Sequence, residues 1–152
     1  NEKLGVIQQK EKTIGKQGMD ETRKMTYLSA TPELIELAKK AVKAVSPNMP
    51  SGKPIQIKVG GNGVTGSVFL DNAEYRNWLQ RVYSAQVTEM ESAAVGQICF
   101  VNDVDWVIIR SISDLAGGQH GKNVENVFDG IASGTGTKLM ISLLDQIVKL
   151  ED

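Results

Sequence analysis

The chain has 152 residues and a formal net charge of -1, with 41% hydrophobic and 23% charged residues. These values are typical of a globular domain, and a chain of this length can bury one sizeable core. The charge balance shows no basic footprint of a nucleic-acid-binding protein, and no stretch approaches the ~20 apolar residues that a membrane-spanning helix needs. The sequence therefore predicts a single domain, residues 1–152, that binds neither nucleic acid nor a membrane.

The first 30 residues are poorly patterned. Leu4–Ile7 and Met25–Leu28 are candidate short strands, and the polar stretch Gln8–Arg23 between them indicates a surface excursion. The lone Cys99 excludes an internal disulfide framework and fits a reducing compartment.

Helices and strands alternate along the rest of the chain. A first helix is predicted to begin at Thr31-Pro32, where threonine caps free amides and proline suits the first helical position. The elements predicted after it are a strand over Pro54–Val59, a helix over Asp71–Val82, a strand over Ala85–Thr88, a helix over Glu91–Asn102, a buried strand over Trp106–Ile109 and a long helical region over Val124–Leu150, which Gly130, Gly134 and Gly136 weaken or break. This alternation predicts an α/β domain with a mostly parallel sheet.

The triplet Glu89-Met90-Glu91 lies at a predicted strand-to-helix junction. Ligands of α/β sheets bind beyond the carboxyl ends of the strands, where a carboxylate can accept hydrogen bonds from a vicinal diol such as the ribose 2′- and 3′-hydroxyls. The neighbouring methionine offers a soft apolar face to a sugar ring. Alternatively, Glu91 only caps or charges the start of the following helix, where the helix dipole favours an acidic residue.

The run Arg110-Ser111-Ile112-Ser113-Asp114 ends the most hydrophobic predicted strand and leads into a glycine-rich loop. A carboxylic acid held at such a strand end can donate a proton to a leaving group if burial raises its pKa. Alternatively, Ser113 and Asp114 only cap a turn.

Two further features carry less information. The glycine-rich run 60–66 follows a predicted strand but lacks the ending of a P-loop and the spacing of a dinucleotide fingerprint, so it is expected to line a base pocket with backbone groups. His120, the only histidine, lies in a glycine-rich stretch and is interpreted as a solvent-exposed loop residue. One histidine and one distant cysteine supply no ligand set for a metal.

The two clusters together resemble one family. The segment V-T-E-M-E-S-A-A-V-G-Q-I-C-F (87–100) resembles the ribose-binding segment of the purine nucleoside phosphorylase/uridine phosphorylase superfamily. The segment V-I-I-R-S-I-S-D-L-A-G-G (107–118) resembles the part that carries the catalytic aspartate of its purine-specific members. The sequences of these two segments are most similar to those of 5′-methylthioadenosine/S-adenosylhomocysteine nucleosidases. The segment G-S-V-F-L-D-N-A-E-Y-R (66–76) resembles plant nucleosidase-like bark and vegetative storage proteins.

This resemblance implies a role for each matching residue. Glu91 would bind the ribose hydroxyls, Met90 would pack under the sugar, and Glu89 would shape the same pocket. Asp114 would protonate the purine at N7 and Ser113 would orient its carboxylate. The loop with Asn62, Gly63 and Val64 would flank the base, although it carries none of the aromatic side chains that nucleosidases usually stack on a purine; the first aromatic after it is Phe69.

The resemblance also implies a fold and a setting. The fold would be the C-terminal part of a three-layer α/β/α domain with a mixed central sheet. The N-terminal half of that domain would be absent from this chain and could pair with it as a separate chain. A homo-oligomer is expected by analogy, with a purine nucleoside or adenine as ligand. No cofactor is expected, apart from phosphate as co-substrate of a phosphorolytic enzyme.

Three functions stay open at this point. The first is hydrolysis of methylthioadenosine- or S-adenosylhomocysteine-type nucleosides, which the wording of both motifs favours. The second is a nucleosidase-like storage or binding protein, including a lectin-like one, and the third is a phosphorolytic purine nucleoside phosphorylase. A cytoplasmic location is expected for an enzyme, and a vacuolar or secreted one for a plant storage protein.

Overall fold

The computed structural model describes residues 12–16, 18, 20, 22–48, 52–118 and 129–150. Its elements in chain order are β1 (Lys12–Gly15), β2 (Thr22–Met25), α1 (Pro32–Lys43), β3 (Asn62–Thr65), α2 (Ala73–Tyr83), β4 (Ala85–Glu89), α3 (Ser92–Val101) and α4 (Asp129–Val148). The predicted strand Leu4–Ile7, the predicted loop at His120 and the start of the predicted C-terminal helix lie outside the described residues.

The N-terminal part of the described chain is a β-hairpin. β1 and β2 pair antiparallel, with Lys12 opposite Met25 and Gly15 opposite Thr22. The strand predicted over Met25–Leu28 is therefore wrong, since β2 ends where that strand was expected to begin. Lys16 follows β1, lies 5.6 Å from the centre of the Phe100 ring and forms an ion pair with Asp103, so it ties the hairpin to the end of α3.

One core cluster lies between α1 and α4. It consists of Leu37, Ala38, Ala41 and Leu143. Ala41 is fully buried, and the backbone approach there is close enough for Ser142 Oγ to donate to the Ala41 carbonyl over 3.1 Å. This packing also explains why α4 runs without interruption through Gly134 and Gly136, where a break was expected. Tertiary packing of an apolar stripe outweighs the low helix propensity of glycine.

The start of α1 differs from the prediction in one respect. Pro32 occupies the first helical position as expected, but Thr31 makes no side-chain hydrogen bond to the helix amides. Instead, the Thr31 amide donates to the Trp106 carbonyl over 2.9 Å, and the Trp106 amide donates to Thr31 Oγ1 over 3.0 Å. Thr31 therefore joins α1 to the extended segment 104–115.

Two predicted strands are not strands among the described residues. In 54–59 only Pro54 makes a β-bridge, to Asn48, and 106–109 is extended without a ladder. The burial patterns behind both predictions are nevertheless present, because Val59, Val107 and Ile109 pack against the α1–α4 cluster. A strand also needs a neighbouring strand along its length, and in the described part of the chain these segments have only single backbone contacts, such as Pro54 with Asn48 and Trp106 with Thr31.

The second core cluster supports the parallel strand pair β3–β4. Trp78, Leu79 and Ala85 are buried there, and the Trp78 ring stacks on Tyr75 with centroids 5.3 Å apart. Asn72, which the prediction had placed inside the helix, accepts from the Tyr75 amide over 2.8 Å and so begins α2.

Helix α3 packs closely on the segment that carries Trp106. Gly96 is buried, and a Cβ at that position would lie 2.8 Å from the ring of Trp106. Only glycine allows this approach, so one face of the Trp106 ring is covered by helix backbone.

Together, these elements confirm the predicted α/β class, with both antiparallel and parallel strand pairs. No helix in the described ranges is both long and apolar enough to span a lipid bilayer.

Candidate functional site

Three segments meet at the carboxyl ends of β3 and β4. The two strands are parallel, with Thr65 opposite Glu89 at their ends. Arg110, from the extended segment that follows Trp106, reaches the same place and contacts Glu89 and Glu91. The prediction that ligand-binding residues gather at strand ends therefore matches the geometry of Glu89, Met90 and Glu91.

Glu89 lies at the centre of this arrangement. Its Oε2 accepts hydrogen bonds from the Glu91 amide over 2.9 Å, the Ser92 amide over 2.6 Å and Ser92 Oγ over 2.7 Å. Thr65 Oγ1 donates to Oε1, and Arg110 Nη2 donates to Oε2. The side chain is only 8% exposed.

These contacts keep the Glu89 carboxylate ionised. Burial acts to raise its pKa, but the hydrogen bonds from Thr65, Arg110, Ser92 and Glu91 outweigh it, and the pKa is lowered from 4.5 to about 2. A carboxylate that accepts several hydrogen bonds is expected to behave in this way. Both oxygens of the Glu89 carboxylate therefore already accept hydrogen bonds within the protein.

Glu91 does not cap α3. It precedes the helix but makes no side-chain hydrogen bond to the helix amides, because Glu89 takes that role. The Glu91 side chain is 64% exposed, and its one described contact is with Arg110. Met90 beside it is 47% exposed. Both side chains are therefore accessible to a ligand.

Arg110 joins the two carboxylates. The hydrogen bonds that Arg110 donates to Glu89 and Glu91 raise the pKa of the guanidinium above its ordinary value, so it stays charged. Two carboxylates against one guanidinium leave one negative charge in excess at the strand ends. Arg110 thereby holds the exposed Glu91 beside the buried Glu89.

The predicted acid lies four residues further along the same segment. Ser113 Oγ donates to Asp114 Oδ1 over 2.6 Å, and both residues are half-buried. The two predicted site residues therefore contact each other, and their roles stay a prediction.

The loop after Asp114 is fixed by the start of α2. The Gly117 amide donates to Asp71 Oδ1 over 2.7 Å, and Arg76 Nη1 donates to the Ala116 carbonyl over 2.7 Å. Gly117 has φ +77°, and a Cβ there would lie 2.2 Å from the Ala73 amide nitrogen. Only glycine fits this position, where the acid loop and α2 touch.

The glycine-rich run is placed differently from its prediction. Asn62, Gly63 and Val64 were expected in a loop beside the base, but they form β3. Asn62 is at the amino end of β3, about 10 Å from Thr65 given the rise per residue of a strand. Its side-chain Nδ2 donates to the Tyr83 carbonyl over 3.0 Å. Val64 packs against the Trp78 cluster. The structure does not bring these three residues to Glu91.

The segment that does leave the correct strand end is 66–72. It connects β3 to α2 and carries Phe69, which is 60% exposed, and Val68, which is 73% exposed. Asp71 at its end holds the acid loop. Phe69 lies three positions before Asn72, the cap of α2. The sequence did not place Phe69 after a strand end, because the strand was predicted over 54–59 whereas the structure has it over 62–65.

The described residues contain no cluster of three or more histidine, cysteine or acidic side chains suited to a metal ion.

The fold is that of an α/β protein with acidic side chains at its strand ends, and comparison with known proteins identifies its family. The chain belongs to the Phosphorylase superfamily, whose family model matches residues 7–149.

Individual relatives narrow the similarity further. The 5′-methylthioadenosine/S-adenosylhomocysteine nucleosidase of Mycobacterium bovis is 33% identical over 101 residues, which cover 60% of this chain and 39% of that protein. The enzyme of the same name from Tolumonas auensis is 29% identical over 84 residues, covering 55% of this chain and 36% of that protein. The one from Staphylococcus aureus is 35% identical over 57 residues, covering 37% and 25%. The chain thus matches less than half the length of these relatives, and no solved structure gives a significant match.

Proposed function

We propose that the protein hydrolyses the N-glycosidic bond of purine nucleosides of the methylthioadenosine or S-adenosylhomocysteine type. The observation that carries the proposal is the link through Arg110. It binds the exposed Glu91 and lies only four residues before Asp114, at most about 14 Å along an extended chain. A sugar-binding carboxylate and an acid for the base therefore belong to one edge of the fold.

Glu91 is assigned to the ribose. Its carboxylate is exposed, stays oriented by Arg110 and can accept hydrogen bonds from the 2′- and 3′-hydroxyls. Met90 supplies an exposed apolar side chain for the sugar face. The excess negative charge of the cluster favours the cationic, oxocarbenium-like ribose of the transition state.

Asp114 is assigned to the leaving group. As the bond between C1′ and N9 breaks, its electron pair passes to the base and the protonated Asp114 gives its proton to N7. The oxygen of a water molecule then bonds to C1′, and a proton of that water restores the acid. General-acid assistance of this kind contributes about 10²–10⁴-fold to a rate.

Phe69 is assigned to the purine face. Its ring is exposed on segment 66–72, and the end of that segment binds the acid loop through Asp71 and Gly117. Aromatic rings stack favourably on planar partners, and this position supplies the aromatic that Asn62–Thr65 lacks. Phe69 therefore replaces Asn62, Gly63 and Val64 as the proposed base contact.

The test is a cleavage assay on the complete protein. Methylthioadenosine, S-adenosylhomocysteine, adenosine and inosine are each incubated with and without phosphate, and the free base and sugar product are separated by chromatography. Release of adenine with free sugar, independent of phosphate, is expected for the first two. Asp114→Asn should lower kcat/KM by about 10²–10⁴-fold while the nucleoside still binds.

Other outcomes have distinct meanings. A sugar 1-phosphate formed only with phosphate would replace hydrolysis by phosphorolysis. Binding of adenine without turnover, measured by calorimetry, would indicate a binding protein. The absence of both turnover and binding for every nucleoside tested would refute the proposed function.

A further inference from the structure

Glu89 has an unusual position in the site. It is the last residue of β4 and directly precedes the proposed ribose-binding pair Met90 and Glu91, yet its own side chain is only 8% exposed. Its hydrogen-bond donors come from three different segments: Thr65 at the end of β3, Glu91 and Ser92 at the start of α3, and Arg110.

Each donor fixes a different part of the site. The Glu91 and Ser92 amides set the direction in which the chain leaves β4 and enters α3. Thr65 Oγ1 also accepts from the Ala93 amide over 2.9 Å, so β3 is joined to the same helix turn. Arg110 shares one nitrogen, Nη2, between Glu89 and Glu91.

The shared nitrogen couples the two carboxylates. Glu89 is held by four donors besides Arg110, two backbone amides and two side-chain hydroxyls, so its position is fixed independently of Arg110. Arg110 is anchored to this fixed group, and Glu91, which is 64% exposed, is oriented through Arg110. An exposed glutamate without such an anchor would sample several rotamers, and ordering it would cost binding free energy.

We infer that Glu89 is a positioning residue: it orients the ribose-binding Glu91 through Arg110 and through the turn into α3, and it makes no contact with the nucleoside. The inference rests on the proposed function for its effect on catalysis. It assigns the two glutamates of one triplet to different tasks, which their equal spacing from Met90 does not reveal.

The test combines Glu89→Gln, Glu91→Gln and the double variant in the complete protein. Glutamine keeps the shape of Glu89 and removes its charge. Glu89→Gln should lower kcat/KM for the nucleoside by about 10–100-fold, mostly through KM, since small misplacements of a substrate-binding group have effects of this size. The double variant should be no worse than Glu91→Gln alone, because Glu89 acts through Glu91.

A second measurement does not depend on turnover. Amide hydrogen exchange of Glu91 and Ser92 should be about tenfold faster or more in Glu89→Gln, because their acceptor is weakened. If Glu89→Gln does not fold, Thr65→Val, which keeps the side-chain shape, takes its place. It should also lower kcat/KM and speed the amide exchange. Glu33→Gln is the matched control, since Glu33 is exposed in the first turn of α1, away from the strand ends.

The results separate the two proposals. A wild-type protein without activity, together with faster exchange in Glu89→Gln, would refute the proposed function and keep the positioning role. An active wild type with losses that multiply in the double variant would show that Glu89 acts independently of Glu91. Unchanged kcat/KM and unchanged exchange in folded Glu89→Gln would overturn the inference.

Discussion

The ionised Glu89 makes the stability of the protein depend on pH in a defined window. Its pKa is about 2 in the folded protein, against 4.5 for an ordinary glutamate. A carboxyl whose folded pKa is lowered stabilises the fold above its unfolded pKa, and that contribution is lost as pH falls through the folded pKa. The window of loss therefore runs from about pH 5 to about pH 2.

The size of this contribution to the free energy of unfolding follows from the same two pKa values. They correspond to about 3 kcal/mol in the free energy of unfolding at pH 7. Arg110 is 35% exposed and Glu91 is 64% exposed, so solvent screening reduces the expected contribution to about 2 kcal/mol. Replacing Glu89 by glutamine should remove it.

The assay is urea unfolding of wild type and Glu89→Gln at pH 7, 5, 4 and 3, followed by circular dichroism. The difference in unfolding free energy should be about 2 kcal/mol at pH 7 and should shrink steadily below pH 5. Glu33→Gln, on the exposed start of α1, should stay within about 0.5 kcal/mol of wild type. A Glu89→Gln difference that is the same at pH 7 and pH 3 would refute the electrostatic explanation.

Three further substitutions test the packing that supports the site. Gly96→Val places a side chain 2.8 Å from the Trp106 ring and should lower the unfolding free energy by about 1–3 kcal/mol in urea titrations. Leu143→Ala, at a residue 3% exposed, should cost about 2–5 kcal/mol in the same titrations. Gly117→Ala meets the Ala73 backbone and should lower kcat about tenfold or more by displacing the acid loop, with little change in far-ultraviolet circular dichroism. Wild-type values for any of the three would contradict the contact concerned.

The sequence predicted the helices well because their determinants are local. Apolar spacing located α1, α2 and α3 to within two residues at most ends. The strands were harder to predict from the sequence. The alternation in 54–59 is present in the burial of its side chains, but a ladder depends on a neighbour that no local pattern specifies.

The same limit applies to the site. The triplet 89–91 and the pair Ser113–Asp114 were found because their residue types and order are distinctive. The different surroundings of Glu89 and Glu91 depend on Thr65 and Arg110, which are 24 and 21 residues from Glu89 in the sequence. Because a strand was predicted over 54–59, Asn62–Val64 were expected in a loop, whereas they form β3 and the exposed Phe69 follows it.

The hydrogen bond between Asp71 and the Gly117 amide limits how the pocket can be redesigned. Residues 66–70 lie before Asp71, so changing their number should leave the contact in place as long as the chain still returns to Asp71. An insertion between Asp71 and Ala73 would separate that carboxylate from α2 and release the loop that carries Asp114. Libraries that alter substrate range should therefore vary the length of 66–70 and keep 71–76 constant.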